Sequence, residues 1–220
     1  LSKAGIRTFG DLRGGIADKV NPRGYKMRMT AVDVGRAKVL VLPDDIVYYG
    51  MNPDRFEVSR AVRMSTSVPF AFKPVEVNTN ENGVIRTYHI IDGGVLDNFP
   101  MWLSEDSESV PLIGARLDKG EKKKFFSVDT SLNILKTLIS FVHDIGIPKH
   151  EYNPDRVIHI DTANVSFMDF GLDNEEKEYL YKSGQQSAME FFKHFEKQMG
   201  VSKKGLFWHY HTIFNRRRRY

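Results

Sequence analysis

No cysteine occurs among the 220 residues, so a disulfide framework, a thiolate metal site and a cysteine nucleophile are all excluded from this chain. No apolar run reaches the roughly 18 residues that a membrane-spanning helix needs, and the first residues lack the layout of a secretory signal. Any contact with a membrane is therefore expected from its surface. Three motifs are also missing: a G-x-S-x-G nucleophile elbow, a P-loop and a G-x-G-x-x-G turn. Serine hydrolysis thus has no elbow serine here, and nucleotide binding has no support. No internal repeat or low-complexity linker breaks the chain.

What is present points to an α/β domain. A hydrophobic fraction of 41% is enough for a core, and the net charge of +4 is concentrated in Lys122–Lys124, Lys203–Lys204 and Arg216–Arg219. Such clusters suit anionic partners, although a solvated tail is the commoner explanation of a basic run. The chain opens on Leu1 rather than Met, directly within a helix-like stretch, and is read as the C-terminal portion of a longer protein. Residues 1–199 are expected to form the domain portion and 200–220 a basic, aromatic tail.

The organising stretch is Ile90-Ile91-Asp92-Gly93-Gly94-Val95-Leu96-Asp97-Asn98-Phe99-Pro100. An apolar run that could be a buried strand ends in an acid and two glycines, which offers Asp92 at a strand's carboxyl end, where open α/β sheets place their chemistry. Gly93 and Gly94 then keep the backbone beside the acid clear for a substrate or nucleophile. The plainer reading is a turn, since Asp followed by Gly commonly ends a strand.

Around this stretch, Lys26–Val34 and Ala37–Leu42 read as two strands, and Asn52-Pro53 as the cap and first residue of a helix running to about Met64. Ser65-Thr66-Ser67-Val68-Pro69 stops that helix. A strand from Pro74 to Val77, a turn over Asn78–Gly83 and a strand from Val84 to Ile91 lead to Asp92. Val110–Leu117 reads as a buried strand, 132–145 as an amphipathic helix and Arg156–Asp161 as a further strand. Asp173 and Glu176 have capping-box spacing ahead of a long last helix, in which Gly184 suggests close packing on a neighbour.

Other candidates are weaker. Of the histidines only His89 lies near Asp92, and its alternation with Tyr88 favours a strand-face role. His209 and His211 form a pair without a third ligand, so no metal and no cofactor is expected. Ser65 and Ser67 read first as a helix stop. Asp97 beside Asn98 reads first as a turn, with a role assisting Asp92 or a cation as the alternative.

The order of these features resembles the C-terminal part of the patatin-like phospholipases, a family of serine lipid acyl hydrolases. The resemblance rests on Thr30–Val34, on Ala61–Val75, on Asp92-Gly93-Gly94 with Asp97-Asn98-Phe99-Pro100, on Arg156–Ile160 with Asp169-Phe170, and on Leu180–Gly184. It covers nearly everything from Phe9-Gly10-Asp11-Leu12 to about Phe195, with the late segments closest to bacterial members. It implies a three-layer α/β/α fold with a mostly parallel central sheet, incomplete at its N-terminus, and a Ser–Asp dyad in which Asp92 serves as base without a histidine. Gly93 and Gly94 would lie next to the substrate or the oxyanion.

The elbow serine and the glycine-rich oxyanion loop both lie upstream in the family, so this chain alone would be inactive. The implied substrate is a phospholipid or other acyl ester. The expected setting is cytoplasmic, with peripheral membrane contact through the 203–219 tail; no nucleic-acid partner is expected. The alternative reading is a non-catalytic lipid-binding module whose tail docks on anionic membranes.

Overall fold

A computed structural model describes residues 5–103, 112–118, 130, 152–163, 165, 169 and 171–199. They fall into two compact units, one holding residues through Leu112 together with Thr130 and Tyr152, the other residues 113–118 and 153–199. The expected 132–145 helix, the Lys122–Lys124 cluster, Val110-Pro111 and the 200–220 tail lie outside the described residues.

The first unit is built on a four-stranded sheet. Its strands are β1 (Met29–Asp33), β2 (Lys38–Leu42), β3 (Val75–Glu81) and β4 (Val84–Asp92), in the order β2-β1-β4-β3. Every pairing is antiparallel, which differs from the mostly parallel sheet expected. For β1–β2 and β3–β4 the reason is local: both are tight hairpins, and a chain reversing through a few residues can only pair antiparallel; β1–β4 is a long-range antiparallel pairing.

The second hairpin also moves a boundary. Asn78 to Glu81, read from their polarity as a turn, are strand, and the turn shrinks to Asn82 and Gly83, with φ of 55° and 86°. Two central residues at positive φ match the twist of the flanking strands, and Asn-Gly is the pair that adopts them most readily. The polar side chains of β3 face water on an edge strand: Glu76, Asn78 and Asn80 are exposed while Val77 is fully buried.

Helix α1 (Val58–Ser65) packs on β1 and β4 with Val58, Ala61 and Met64 turned inward and fully buried. The helix expected from Pro53 is broken. Asn52 does cap a turn, accepting from the amides of Asp54 and Arg55, but that turn is a short 3-10 segment, Pro53–Arg55. Phe56 then goes extended, because its ring stacks on Phe9 at 6.3 Å and its carbonyl accepts from the Phe9 N–H at 3.0 Å. This tertiary pairing, continued by the Thr8–Glu57 bridge, outcompetes a helical turn.

A second clamp holds the same N-terminal segment. Arg13 grips both carboxylate oxygens of Asp54 at 2.7 and 2.8 Å, and the Tyr25 hydroxyl donates to Asp54 at 2.7 Å. The bonds from Arg13 and Tyr25 hold the Asp54 carboxyl down to about 2, while burial and Asp54 push the Tyr25 phenol up.

The second unit pairs β5 (Gly114–Asp118) with β6 (Val157–Asp161) in parallel, Asp118 opposite Asp161. Against β6 lies α2 (Asn174–Met199), the expected long last helix. Its capping box forms as the spacing suggested: the Glu176 N–H donates to Asp173 at 2.8 Å and the Asp173 N–H to Glu176 at 3.0 Å. Gly184 faces β6, but a Cβ there would meet only the Ile160 Cγ2 at 4.0 Å, so packing does not require glycine. β5 is half-exposed rather than buried, with Leu117 at 67% exposure.

Candidate active site

Asp92 is the last residue of β4, opposite Ala31 on the central strand β1, and is half-buried. Its backbone is held from two sides. Pairing with β1 fixes one face, and its N–H donates to the Ser67 carbonyl at 3.1 Å, tying the acid to the residues that end α1. Its Oδ1 accepts from the Gly94 N–H at 2.8 Å, so the carboxylate caps the 3-10 turn Gly93–Val95. Main-chain restraint together with a bond from its own turn gives the carboxylate a set direction.

The two glycines have separate duties. A Cβ on Gly93 would lie 2.3 Å from the Thr30 Oγ1 and 2.7 Å from its carbonyl carbon and oxygen, so β1 fills the space that any side chain would need. Gly93 is thus glycine because a strand passes against it. The Gly94 N–H is engaged by Asp92 itself. This packing requirement is a further reason for glycine at 93, beside the clearance expected from the sequence.

The remaining candidates separate cleanly. Asp97 is buried and accepts from the Trp102 Nε1–H at 2.6 Å and the Phe99 N–H at 3.2 Å, while its own N–H donates to the Gly93 carbonyl at 3.0 Å. It fastens the loop behind Asp92, which is the turn role the sequence favoured. Ser67 is fully buried, its hydroxyl accepting from Arg63 at 2.6 Å and donating to the Arg63 carbonyl. This arrangement is the helix stop; the serine presents no nucleophile. His89 lies on the exposed side of β4, 3.9 Å from Glu76 across the strand pair. Side chains three apart on a strand point to opposite faces, so His89 is directed away from Asp92.

Two ionisable groupings were not anticipated. In the first unit, Asp33 is fully buried and accepts from the Tyr49 hydroxyl at 2.7 Å, and the Arg36 guanidinium lies over the Tyr88 ring at 4.2 Å. Burial and the bond to Asp33 push the Tyr49 phenol up. In the second unit, Asp118 takes both Arg116 at 3.1 Å and the His159 Nδ1 at 2.6 Å. Asp161 accepts from the Tyr179 hydroxyl at 3.1 Å, and this bond raises the Tyr179 pKa. Read from sequence, Arg116, His159 and Asp161 lie on strands and Tyr179 on the last helix, while Asp118 falls just beyond the strand ending at Leu117; nothing in the sequence signals that these residues pair. Among the described residues no three metal-ligating side chains converge, and no helix is long and apolar enough to cross a membrane.

Comparison with known proteins gives this geometry a family. The chain is 33% identical over 196 residues to the uncharacterized protein YqhO of Bacillus subtilis (strain 168), a match covering 88% of this chain and 62% of that protein. It is 26% identical over 144 residues to the uncharacterized protein R571 of Acanthamoeba polyphaga mimivirus, covering 60% of this chain and 45% of that one. The chain therefore spans between about half and two thirds of the length of these curated relatives. Residues 17–103, which include the whole four-stranded sheet, α1 and the Asp92 turn, match the family described as patatin-like phospholipase. Over that segment the chain is similar to the patatin-like phospholipases.

Proposed function

We propose that the protein hydrolyses acyl esters of phospholipids or other lipids, with Asp92 as the base of a Ser–Asp dyad whose serine is supplied by sequence upstream of this chain. The observation that carries the proposal is the restraint on Asp92: a half-buried carboxylate at a strand end, fixed by β1, by the Ser67 carbonyl and by the Gly94 N–H, inside a segment that matches a lipid hydrolase family. A carboxylate accepts a proton efficiently only when it is held at hydrogen-bond distance from the donor, so pre-set direction is the property a base at this position needs.

In the proposed cycle the serine hydroxyl gives its proton to Asp92 as its oxygen bonds to the acyl carbon. The leaving alcohol then departs with that proton. Water repeats the exchange, releasing the fatty acid and restoring the serine. Because the Gly94 N–H donates to Asp92, stabilisation of the oxyanion is assigned to the upstream glycine-rich loop. A three-layer arrangement of the complete domain belongs to the same proposal.

The test uses the protein with its natural upstream sequence and a fluorophosphonate probe that labels activated serines. Labelling together with loss of ester hydrolysis in the Asp92→Asn variant is the expected result. Normal hydrolysis by that variant would overturn the assignment.

A further inference from the structure

The loop that links α1 to β3 carries two aromatic rings on the outside of the molecule. Phe70 is 46% exposed and Phe72 43% exposed, although both rings would bury well in a core. Phe70 also has φ of +68°, a left-handed backbone that is uncommon for a bulky side chain. Strain of this kind persists only where the surroundings impose it, and here they do not offer the ring a buried site in return.

The loop is built to hold its shape. The Ala71 and Phe72 amides donate to the Val68 carbonyl at 3.2 and 2.9 Å, and the Val68 N–H donates to the Thr66 carbonyl at 2.9 Å. Arg63 reaches across from α1 and bonds the Ser67 hydroxyl at 2.6 Å and the Lys73 carbonyl at 3.1 Å, with its guanidinium 5.3 Å from the centre of the Phe72 ring. The rings are therefore presented by a stiffened turn.

Charge specifies the occupant. The exposed Arg63 lies against the Phe72 ring, exposed Lys73 follows it in the chain, and exposed Arg60 lies one turn earlier on α1. Aromatic rings that enter the headgroup region, flanked by cations that stay with the phosphates, are the chemistry of an anionic lipid surface. The position adds a reason. The Ser67 carbonyl, at the root of this loop, accepts the Asp92 N–H, so the loop and the candidate base share one backbone junction.

We propose that Phe70 and Phe72, with Arg63 of α1 and Lys73 of the same loop beside Phe72, form a docking surface for anionic phospholipid membranes that sets the Asp92 region against its substrate's source. The proposal deepens the lipid hydrolase reading and rests on it for its purpose, but its test does not depend on turnover.

The full chain is sedimented with vesicles of non-hydrolysable ether phosphatidylcholine and ether phosphatidylglycerol in equal parts. A Phe70→Ser/Phe72→Ser double variant should bind at least about tenfold more weakly, which corresponds to about 1.4 kcal/mol. Its circular dichroism and melting should match the parent, because both rings are exposed. A milder Phe72→Trp variant should retain binding and show a blue-shifted emission on vesicle addition. Raising the salt, or replacing the anionic lipid with phosphatidylcholine alone, should weaken binding of the parent.

Unchanged vesicle binding by the double variant would overturn the proposal. So would an emission from Phe72→Trp that vesicles leave unmoved, or a result in which the double variant only abolishes self-association. Failure of the Asp92→Asn test with vesicle binding intact would remove the enzyme reading and leave the docking surface standing.

Discussion

Each unit of the molecule ends a strand with an acid, and the two acids are treated differently. In the first unit Asp92 is bound through its backbone on both sides and its Oδ1 is turned by a neighbouring amide. In the second, Asp118 is gripped through its side chain by the Arg116 guanidinium and the His159 Nδ1, and lies opposite Asp161. Restraint through the main chain and the adjoining turn sets the direction of a carboxylate. Restraint through side-chain contacts occupies the carboxylate oxygens themselves. The first arrangement suits a base, the second a strut.

The largest expected effect follows directly. In the protein with its upstream sequence, Asp92→Asn should lower ester hydrolysis on the order of a thousandfold, the scale of a lost general base. Asp118→Asn should leave the rate within about twofold and lower the melting temperature slightly, since partly exposed ion pairs contribute about 1 kcal/mol or less. Comparable losses in both variants would erase the distinction.

Next is the glycine contrast. Gly93→Ala places a methyl 2.3 Å from the Thr30 Oγ1 and should cost about 3 kcal/mol in urea unfolding, as overpacking against a backbone does. Trp102→Phe should cost about 1 to 2 kcal/mol, because it takes a donor from the buried Asp97 carboxylate. Gly184→Ala should stabilise the second unit by up to about 1 kcal/mol, since the helix gains propensity and the added methyl meets only Ile160 at ordinary contact. A destabilised Gly184→Ala would mean that α2 needs its glycine after all.

The smallest effect concerns pH. Asp54 has its carboxyl held down to about 2 from an ordinary 3.8, so the folded state prefers it charged. That stability is complete above about pH 4 and is lost as pH falls through about 2. Asp54→Asn should flatten the acid limb of the unfolding curve in that window, by an amount kept small by the exposure of the pair.

What could be read from the chain was whatever residues decide among near neighbours. The capping box at Asp173 and Glu176 and the cap at Asn52 close over three residues or fewer, and both formed. The two hairpins were legible as strands, yet Asn78–Glu81 passed for a turn because polarity on an exposed edge strand looks the same as polarity in a loop. The break before α1 was illegible, since it depends on Phe9 and Thr8 meeting Phe56 and Glu57 across more than forty residues of chain. The candidate acid itself was visible at a strand end. The reason for its glycine was not, because the partner that excludes a side chain is Thr30, on another strand.

The bond from the Asp92 N–H to the Ser67 carbonyl also has a bearing on how the site is assembled in time. The β3–β4 hairpin needs only its Asn-Gly turn and can form within microseconds, before the rest of the sheet exists. The clamp on Asp92 closes only when α1 has docked and β1 has paired with β4, both long-range events. The acid's alignment thus depends on contacts far apart in the chain, and its amide hydrogen should exchange more slowly than those of the Asn82-Gly83 turn.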